Sequence, residues 1–392
     1  MATETADVVI VGAGIVGASV AWHLAERGCR DVIVLERGEG PGEGSTGRAT
    51  GGFRAQFDSE INVRLSLLAR RKLLRFEEDT GVTPGYAPCG YLFLAQSQKD
   101  LQILRAALAV QRDAGLGESR EIGPEEVAEI NPHVRLEGIV GGTFCAADGF
   151  ICPLDILGGY LAAAARNGVR VRYGESCCGI RVEGAGGTDR VVGVRTEAGE
   201  IATRRLVDAA GPWAAGVAAL AGADLPVVPE RRQVAVTCPF DGLPDTMPMT
   251  IFLEDGFHLR VREGRVHLLW PRESRTADPL DMRFETSWLD GLMDRAVGSV
   301  PCLSAASIDI AACRAGLYEM SPDHHAILGE SVEVRGLYYA NGSSGHGVMH
   351  APALGQLLAE IILDGRATSI DVGSLRPSRF VEGAAVTGTN LL

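Results

Sequence analysis

Two stretches of this chain carry residue types and spacings that could do chemistry, and more than 300 residues separate them. The first, Gly12-Ala13-Gly14-Ile15-Val16-Gly17, fits G-x-G-x-x-G and is followed by an acid, Glu36, 19 residues beyond Gly17. Gly12 makes the turn, Gly14 lets the backbone approach a pyrophosphate, and Gly17 lets helix pack on strand. The N–H groups at the start of the helix then meet the phosphates, and Glu36 accepts from ribose hydroxyls. This predicts a bound dinucleotide, and the motif alone does not separate FAD from NAD. The second stretch, Gly345-His346-Gly347-Val348, sits directly before an apolar run ending near Gly365. Glycines feeding a helix leave unpaired N–H groups and a positive dipole end, which suits an anion. The alternative is an ordinary Gly-rich helix start with a surface histidine.

The elements that must position these residues follow from periodicity. Val8-Val9-Ile10-Val11 is continuously apolar, as expected for a central parallel strand. A helix over Gly14–Arg27 stopped by Gly28, and a second strand over Val32–Leu35, complete a βαβ unit. A Gly-rich loop spans Gly38–Gly52, followed by a helix from Ser59 to Thr80. The segment Val82–Gly149 shows one short apolar strand, Tyr91–Ala95, and two helices, one near Asp100–Ala114 and one opened by Pro124. A helix from Pro153 and strands near Gly179–Glu183 and Arg190–Thr196 precede Asp208-Ala209-Ala210-Gly211. Segment 225–310 reads as strand-rich, with a hairpin turning at Glu263-Gly264. In that hairpin His258 and Arg260 alternate with Phe257 and Leu259 and share one face, turned either to a substrate or to solvent. His324-His325 are adjacent and have no evident third ligand, so no metal is expected.

A chain of 392 residues suits two domains, and its net charge of −13 argues against nucleic acid or an anionic membrane as partner. Nine cysteines without regular spacing read as reduced thiols of a cytoplasmic protein. Of 37 basic Lys and Arg residues, only Lys72 and Lys99 are lysines.

Five segments resemble, in order, the D-amino-acid oxidase superfamily of flavoproteins: Gly44–Arg54, Ala147–Gly149, Asp208–Ala214, Gly316–Glu330 and "GSSGHGVMHAP" over Gly342–Pro352. The likeness is greatest to the β subunits of sarcosine oxidase and of dye-linked L-proline dehydrogenase, with glycine oxidase and monomeric sarcosine oxidase more distant. It implies an α/β fold: a discontinuous Rossmann-type FAD domain (1–80, 150–215, 330–392) and an α+β substrate domain on an antiparallel sheet (81–149, 216–329). It implies that Gly12, Gly14, Ile15, Val16, Gly17, Glu36 and Arg37 hold the ADP half of FAD. Ser45, Thr46, Arg48 and Thr50 then meet the pyrophosphate and flavin edge, and Ala210 and Gly211 lie near the adenosine. Gly345, His346, Gly347 and Val348 sit at the pyrimidine side of the flavin, where the helix start stabilises negative charge on reduction and His346, if protonated, adds to it. Gly316 matches the flavin-linked cysteine of monomeric sarcosine oxidase, so the FAD is expected to be noncovalent, and Pro153 matches the FMN-linked histidine of the sarcosine oxidase β subunit, so no FMN is expected there.

The expected activity is oxidation of an amine or amino acid to the imine by hydride transfer to FAD, with a secondary amino acid such as sarcosine or proline favoured. A carboxylate anchor is then required, and arginine matches it best. Arg54 is the expected anchor, supported by Tyr318, with His258 and His346 as further catalytic candidates; the alternative for Arg54 is a salt bridge to Asp58 or Glu60. The resemblance to monomeric sarcosine oxidase implies that a lysine near the flavin serves reaction with oxygen. Because Lys72 and Lys99 both fall on helices away from the motifs, a dehydrogenase with another electron acceptor is expected. Two other readings stay open: a 2-hydroxy-acid dehydrogenase using His258 or His346 as base, and an electron-relaying subunit of a hetero-oligomer.

Overall fold

The computed structural model describes residues 4–185, 188–272, 278, 280–386 and 391. Strand Val8–Val11 lies at the centre of a six-stranded sheet, parallel to Val32–Leu35 on one side and to Leu206–Asp208 on the other. Arg170–Arg172 and Leu337–Asn341 extend it in parallel, and Ile327–Glu330 closes one edge antiparallel. Successive side chains of a strand point to opposite faces. Val8, Ile10, Val32 and Val34 therefore pack under helices Ile15–Glu26, Pro153–Arg166 and Gly347–Asp364, while Val9, Val11, Ile33 and Leu35 pack on the other face. That second face is covered by a meander of Gly179–Ala185, Thr188–Thr196 and Gly199–Ala202. Burial on both faces explains why the two βαβ strands show no polar alternation.

The second sheet has eight strands in the order Arg314–Met320, Val228–Val236, Arg265–Leu269, His258–Arg262, Met249–Phe252, Tyr91–Ala95, Gly141–Cys145, Ser119–Ile122. It is not purely antiparallel as expected, because Met249–Phe252 runs parallel to Tyr91–Ala95. The segment before Gly149 contributes three of these strands rather than one. Ser119–Ile122 is a mostly polar edge strand, and Gly141–Cys145 opens on two glycines, so neither shows an apolar pattern. A Cβ on Gly142 would overlap the carbonyl oxygen of Phe93, so that strand needs a glycine to pair closely. The hairpin turn is as expected: Glu263 and Gly264 have φ of 55° and 66°, the pair of positive values a tight two-residue turn requires. The Gly-rich loop also contains one helical turn, Ser45–Arg48.

Titratable groups withdrawn from water set a pH profile for the FAD-free chain. Desolvation lowers His23, His267 and His350 to about 3 and His258 to about 4. A depressed histidine stabilises the fold above pH 6.5 and loses that stability as pH falls. Desolvation raises Asp148 to about 6 and Asp208 and Glu319 to about 7. A raised carboxyl stabilises the fold at low pH and loses that stability as pH rises through its folded value. The two sets oppose each other between about pH 4.5 and 6, and below that range the histidines are joined by carboxylates held low, such as Glu360 and Asp323, which also lose stability as pH falls. Thermal unfolding of the FAD-free chain is expected to show a shallow slope down to about pH 4.5 and a steep loss below it, up to about 1.4 kcal/mol per pH unit for each histidine. A steep, uniform fall beginning at pH 6.5 would contradict this assignment.

Candidate active site

One cavity of about 970 Å³ runs between the two sheets, and all but one of the residues expected to hold FAD or act on substrate line it. The exception is Gly17, which faces the turn: a Cβ there would overlap the carbonyl oxygen of Gly12. Gly12 itself has φ +101°, and a Cβ on it would stand 2.5 Å from the Ala209 carbonyl oxygen. Gly14 is different. Its added Cβ would meet only Thr46 Oγ1, at 3.6 Å, so its Cα borders open cavity. Glu36 is held in place by the backbone N–H groups of Ala13 and Gly38, at 2.9 and 2.8 Å. Arg37 stacks 3.8 Å over the ring of Trp213, and both line the same end.

Midway along, the Ser45–Arg48 turn is tied to the strand Arg314–Met320. Ser45 Oγ donates to Leu317 O at 2.7 Å and Arg48 Nη1 to Ala315 O at 3.2 Å. Arg48 Nε is buried there without a hydrogen-bond partner. Gly316 allows this approach, since a Cβ on it would press on Arg48 Cβ at 3.2 Å. The Thr50 carbonyl accepts from Arg260, whose guanidinium lies 3.6 Å from the Phe150 ring centre. Arg260 therefore supports the loop behind the cavity, while His258, on the same strand face, lines it. The Ala210 and Gly211 N–H groups are bonded to Asp208 Oδ1 and Asn341 Oδ1, at 3.0 and 3.1 Å.

At the far end Gly345, with φ +91°, lies flat against the Tyr318 ring, where any Cβ would overlap it. His346 caps helix Gly347–Asp364 and packs edge-on to Phe57, ring centres 4.8 Å apart. Its Nε2 is 3.4 Å from Arg54 Nη2. A guanidinium only donates, so Nε2 is the acceptor in this contact. The cation beside His346 is Arg54. Arg54 donates to Gln56 O at 2.7 Å and stacks 4.0 Å from the Phe57 ring centre. Burial lowers its pKa, opposed by attraction from Tyr91, Asp148 and Asp58. Glu60 pairs instead with Arg64. Asp148 holds the Arg54 segment from behind, accepting from Ala55 N at 2.7 Å and Gln56 Nε2 at 3.2 Å.

The roof over this end is apolar, with Met249, Ile251, Leu269 and Trp270 lining it. Half-buried His258 donates from Nδ1 to Gly256 O at 2.8 Å, which leaves Nε2 as the acceptor. Tyr91, Asn62, Arg232 and Glu319 also line the cavity and were not singled out in the sequence. Tyr91 and Asn62 read as ordinary strand and helix positions. Glu319 stands beside Tyr318 in the Gly316–Glu330 segment, the only signal available. Of the adjacent histidines, His325 is used up structurally, bonded to Asp323 O at 2.6 Å and Ser59 Oγ at 2.8 Å, whereas His324 lines the cavity.

A long cavity, bare of side chains at Gly14 and with a buried unpartnered arginine nitrogen at its middle, fits a dinucleotide laid along it. Known proteins agree. The chain is 29% identical over 377 residues to human mitochondrial sarcosine dehydrogenase, covering 93% of this chain and 40% of that protein. It is 29% identical over 401 residues to rat mitochondrial dimethylglycine dehydrogenase, covering 96% and 45%. It thus spans less than half the length of these relatives. Among solved structures, L-proline dehydrogenase from P. horikoshii superposes with a TM-score of 0.88 at 28% identity, covering 98% of this chain and 100% of that one. Glycine oxidase from Geobacillus kaustophilus gives 0.80 at 25% identity, covering 96% and 99%. Residues 7–361 match the family model described as DAO, FAD dependent oxidoreductase, and to that family this chain belongs.

Proposed function

We propose that the chain oxidises a small secondary amino acid, of the sarcosine or proline kind, to the corresponding imine. The observation that carries this reading is the buried Arg54 guanidinium lining the cavity at its flavin end, under an apolar roof. Bound FAD supplies the hydride acceptor. The chain's own residues do the rest. Arg54 fixes the substrate carboxylate, and the Tyr318 hydroxyl adds a second donor. Met249, Ile251 and Leu269 enclose the substrate's carbon skeleton and exclude water. With the substrate amine unprotonated, its nitrogen lone pair becomes the C=N bond as hydride departs, and the iminium N–H proton then passes to solvent, so no protein base is needed to break the C–H bond. Relatives named for sarcosine, dimethylglycine and proline support the substrate class.

The FAD is held noncovalently in this reading. Gly316 offers no nucleophile, and nearby Cys313 Sγ is engaged by Val236 N–H at 3.4 Å and Asp309 O at 3.3 Å. The electron acceptor is not oxygen but a partner protein or subunit: neither lysine lines the cavity, Lys72 lying over Trp22 and Lys99 on an exposed helical turn. One experiment tests both points. Anaerobic titration of the FAD-loaded chain with amino acids, N-methyl amino acids and 2-hydroxy acids should bleach the flavin fastest with a secondary amino acid. Mixing the reduced protein with air should then restore colour slowly; fast return would reassign it as an oxidase. Because His258 Nε2 is an acceptor in the cavity wall, a second reading is oxidation of a 2-hydroxy acid with His258 taking the hydroxyl proton. Bleaching by hydroxy acids alone selects that reading.

A further inference from the structure

Glu319 follows Tyr318 on the strand Arg314–Met320 and takes no part in the chemistry above. Its Oε1 accepts the backbone N–H of Ser343 at 3.2 Å. Its Oε2 is shut off from solvent and has no hydrogen-bond partner, although the residue lines the cavity. Two glycines locate the carboxyl: a Cβ built on Gly347 would stand 3.6 Å from Oε1, and one on Gly211 would stand 3.7 Å from Oε2. It therefore reaches from the start of helix Gly347–Asp364 to the Ala210–Gly211 turn. Ser343 Oγ, also buried and without a partner, lies 3.5 Å from the same notional Cβ on Gly347. Buried polar atoms are nearly always paired. An unpaired carboxyl oxygen on a residue that lines a cavity marks the place of a polar ligand.

The surroundings favour the uncharged form of this carboxyl. On the adjacent strand its partner is Pro229, and the flanking Glu230 and Arg232 pair with each other. The loop 342–347 contributes Ser343 and His346, the latter bonded toward Arg54. Asp208, on the far side of Gly211, is a buried carboxyl and repels it. Glu319 makes no ion pair among the described residues. Desolvation accordingly raises its pKa to about 7, against the opposing pull of the Ser343 and Gly342 polar groups.

We propose that Glu319 is a cofactor-contacting residue: its protonated carboxyl donates a hydrogen bond to FAD between Gly211 and Gly347 and favours the reduced over the oxidised form. An ionised carboxylate there would repel the negative charge that reduction brings, so reduction and retention of the Glu319 proton are coupled. The proposal rests on FAD occupying the cavity; a wild-type chain that binds no FAD would sink that reading itself, separately from any result on Glu319.

The test is a redox titration of the full FAD-loaded chain, wild type, Glu319→Gln and Glu319→Ala, from pH 6 to 9, with FAD affinity measured on stripped protein. Glu319→Gln keeps a neutral donor. It should match the wild-type potential at pH 6 and lose the extra downward slope of potential with pH that the wild type shows near pH 7. Glu319→Ala should bind FAD about tenfold more weakly, the cost of one lost hydrogen bond. Its two-electron potential should fall by about 30 mV, equivalent to a tenfold loss of preference for reduced FAD. A Glu319→Gln protein that retains the neutral-pH slope overturns the proposal. So does a Glu319→Ala protein with an unchanged potential, even if its affinity falls. Should Glu319→Ala fail to fold, the slope of Glu319→Gln decides alone.

Discussion

Gly17→Ala is expected to produce a chain that binds FAD about a hundredfold more weakly and unfolds about 3 kcal/mol more easily, from the two costs that follow. The added methyl has nowhere to go. It would overlap the Gly12 carbonyl oxygen, and Gly12 is itself wedged at φ +101° against the Ala209 backbone. The start of helix Ile15–Glu26 must then move off strand Val8–Val11, an overpacking cost of about 1–3 kcal/mol. The helix-start N–H groups lose their aim at the phosphates, and charged hydrogen bonds of about 1.5–3 kcal/mol are at stake there. Gly14→Ala makes the informative control. Its methyl enters the cavity and meets only Thr46 Oγ1, at 3.6 Å, so FAD affinity should drop while the stability of the FAD-free chain stays near wild type. Calorimetric unfolding with and without FAD separates the two. If Gly17→Ala bound FAD normally, the turn would not be the phosphate site.

Arg54→Ala is expected to cut kcat/KM for the best amino-acid substrate by about 10- to 100-fold, the scale of a charged hydrogen bond of about 1.5–3 kcal/mol. Arg54→Lys should fall between, because an ammonium keeps the charge but not the two-pronged geometry. Arg54 also braces Gln56 O and Phe57, so a general disturbance must be told apart from a lost anchor. An amine substrate without a carboxylate does this, since its turnover should be nearly indifferent to the substitution. Equal losses on both substrates would strip Arg54 of the anchoring role.

How much of this was legible beforehand differs by element. The βαβ unit and its glycines were readable because local sterics dictate them: a strand buried on both faces must be apolar, and a turn at positive φ favours glycine. The hairpin at Glu263-Gly264 was readable for the same local reason. Strands Ser119–Ile122 and Gly141–Cys145 were not, because a polar edge and a glycine pair carry no pattern of their own and are strands only by pairing with each other and with Tyr91–Ala95.

The sequence by itself determined a glycine turn at Gly12–Gly17 of the kind that suits a dinucleotide and a glycine-flanked helix start at Gly347, since both follow from backbone groups and neighbours a few residues apart. Only the tertiary structure decided that Arg54 and His346, 292 residues apart in the chain, touch, placing a guanidinium beside the start of helix Gly347–Asp364. It also decided that the Glu319 carboxyl stands between Gly211 and Gly347 with one shielded oxygen unpaired. A side chain's charge depends on what surrounds it in space, and no local pattern encodes neighbours brought together from distant strands.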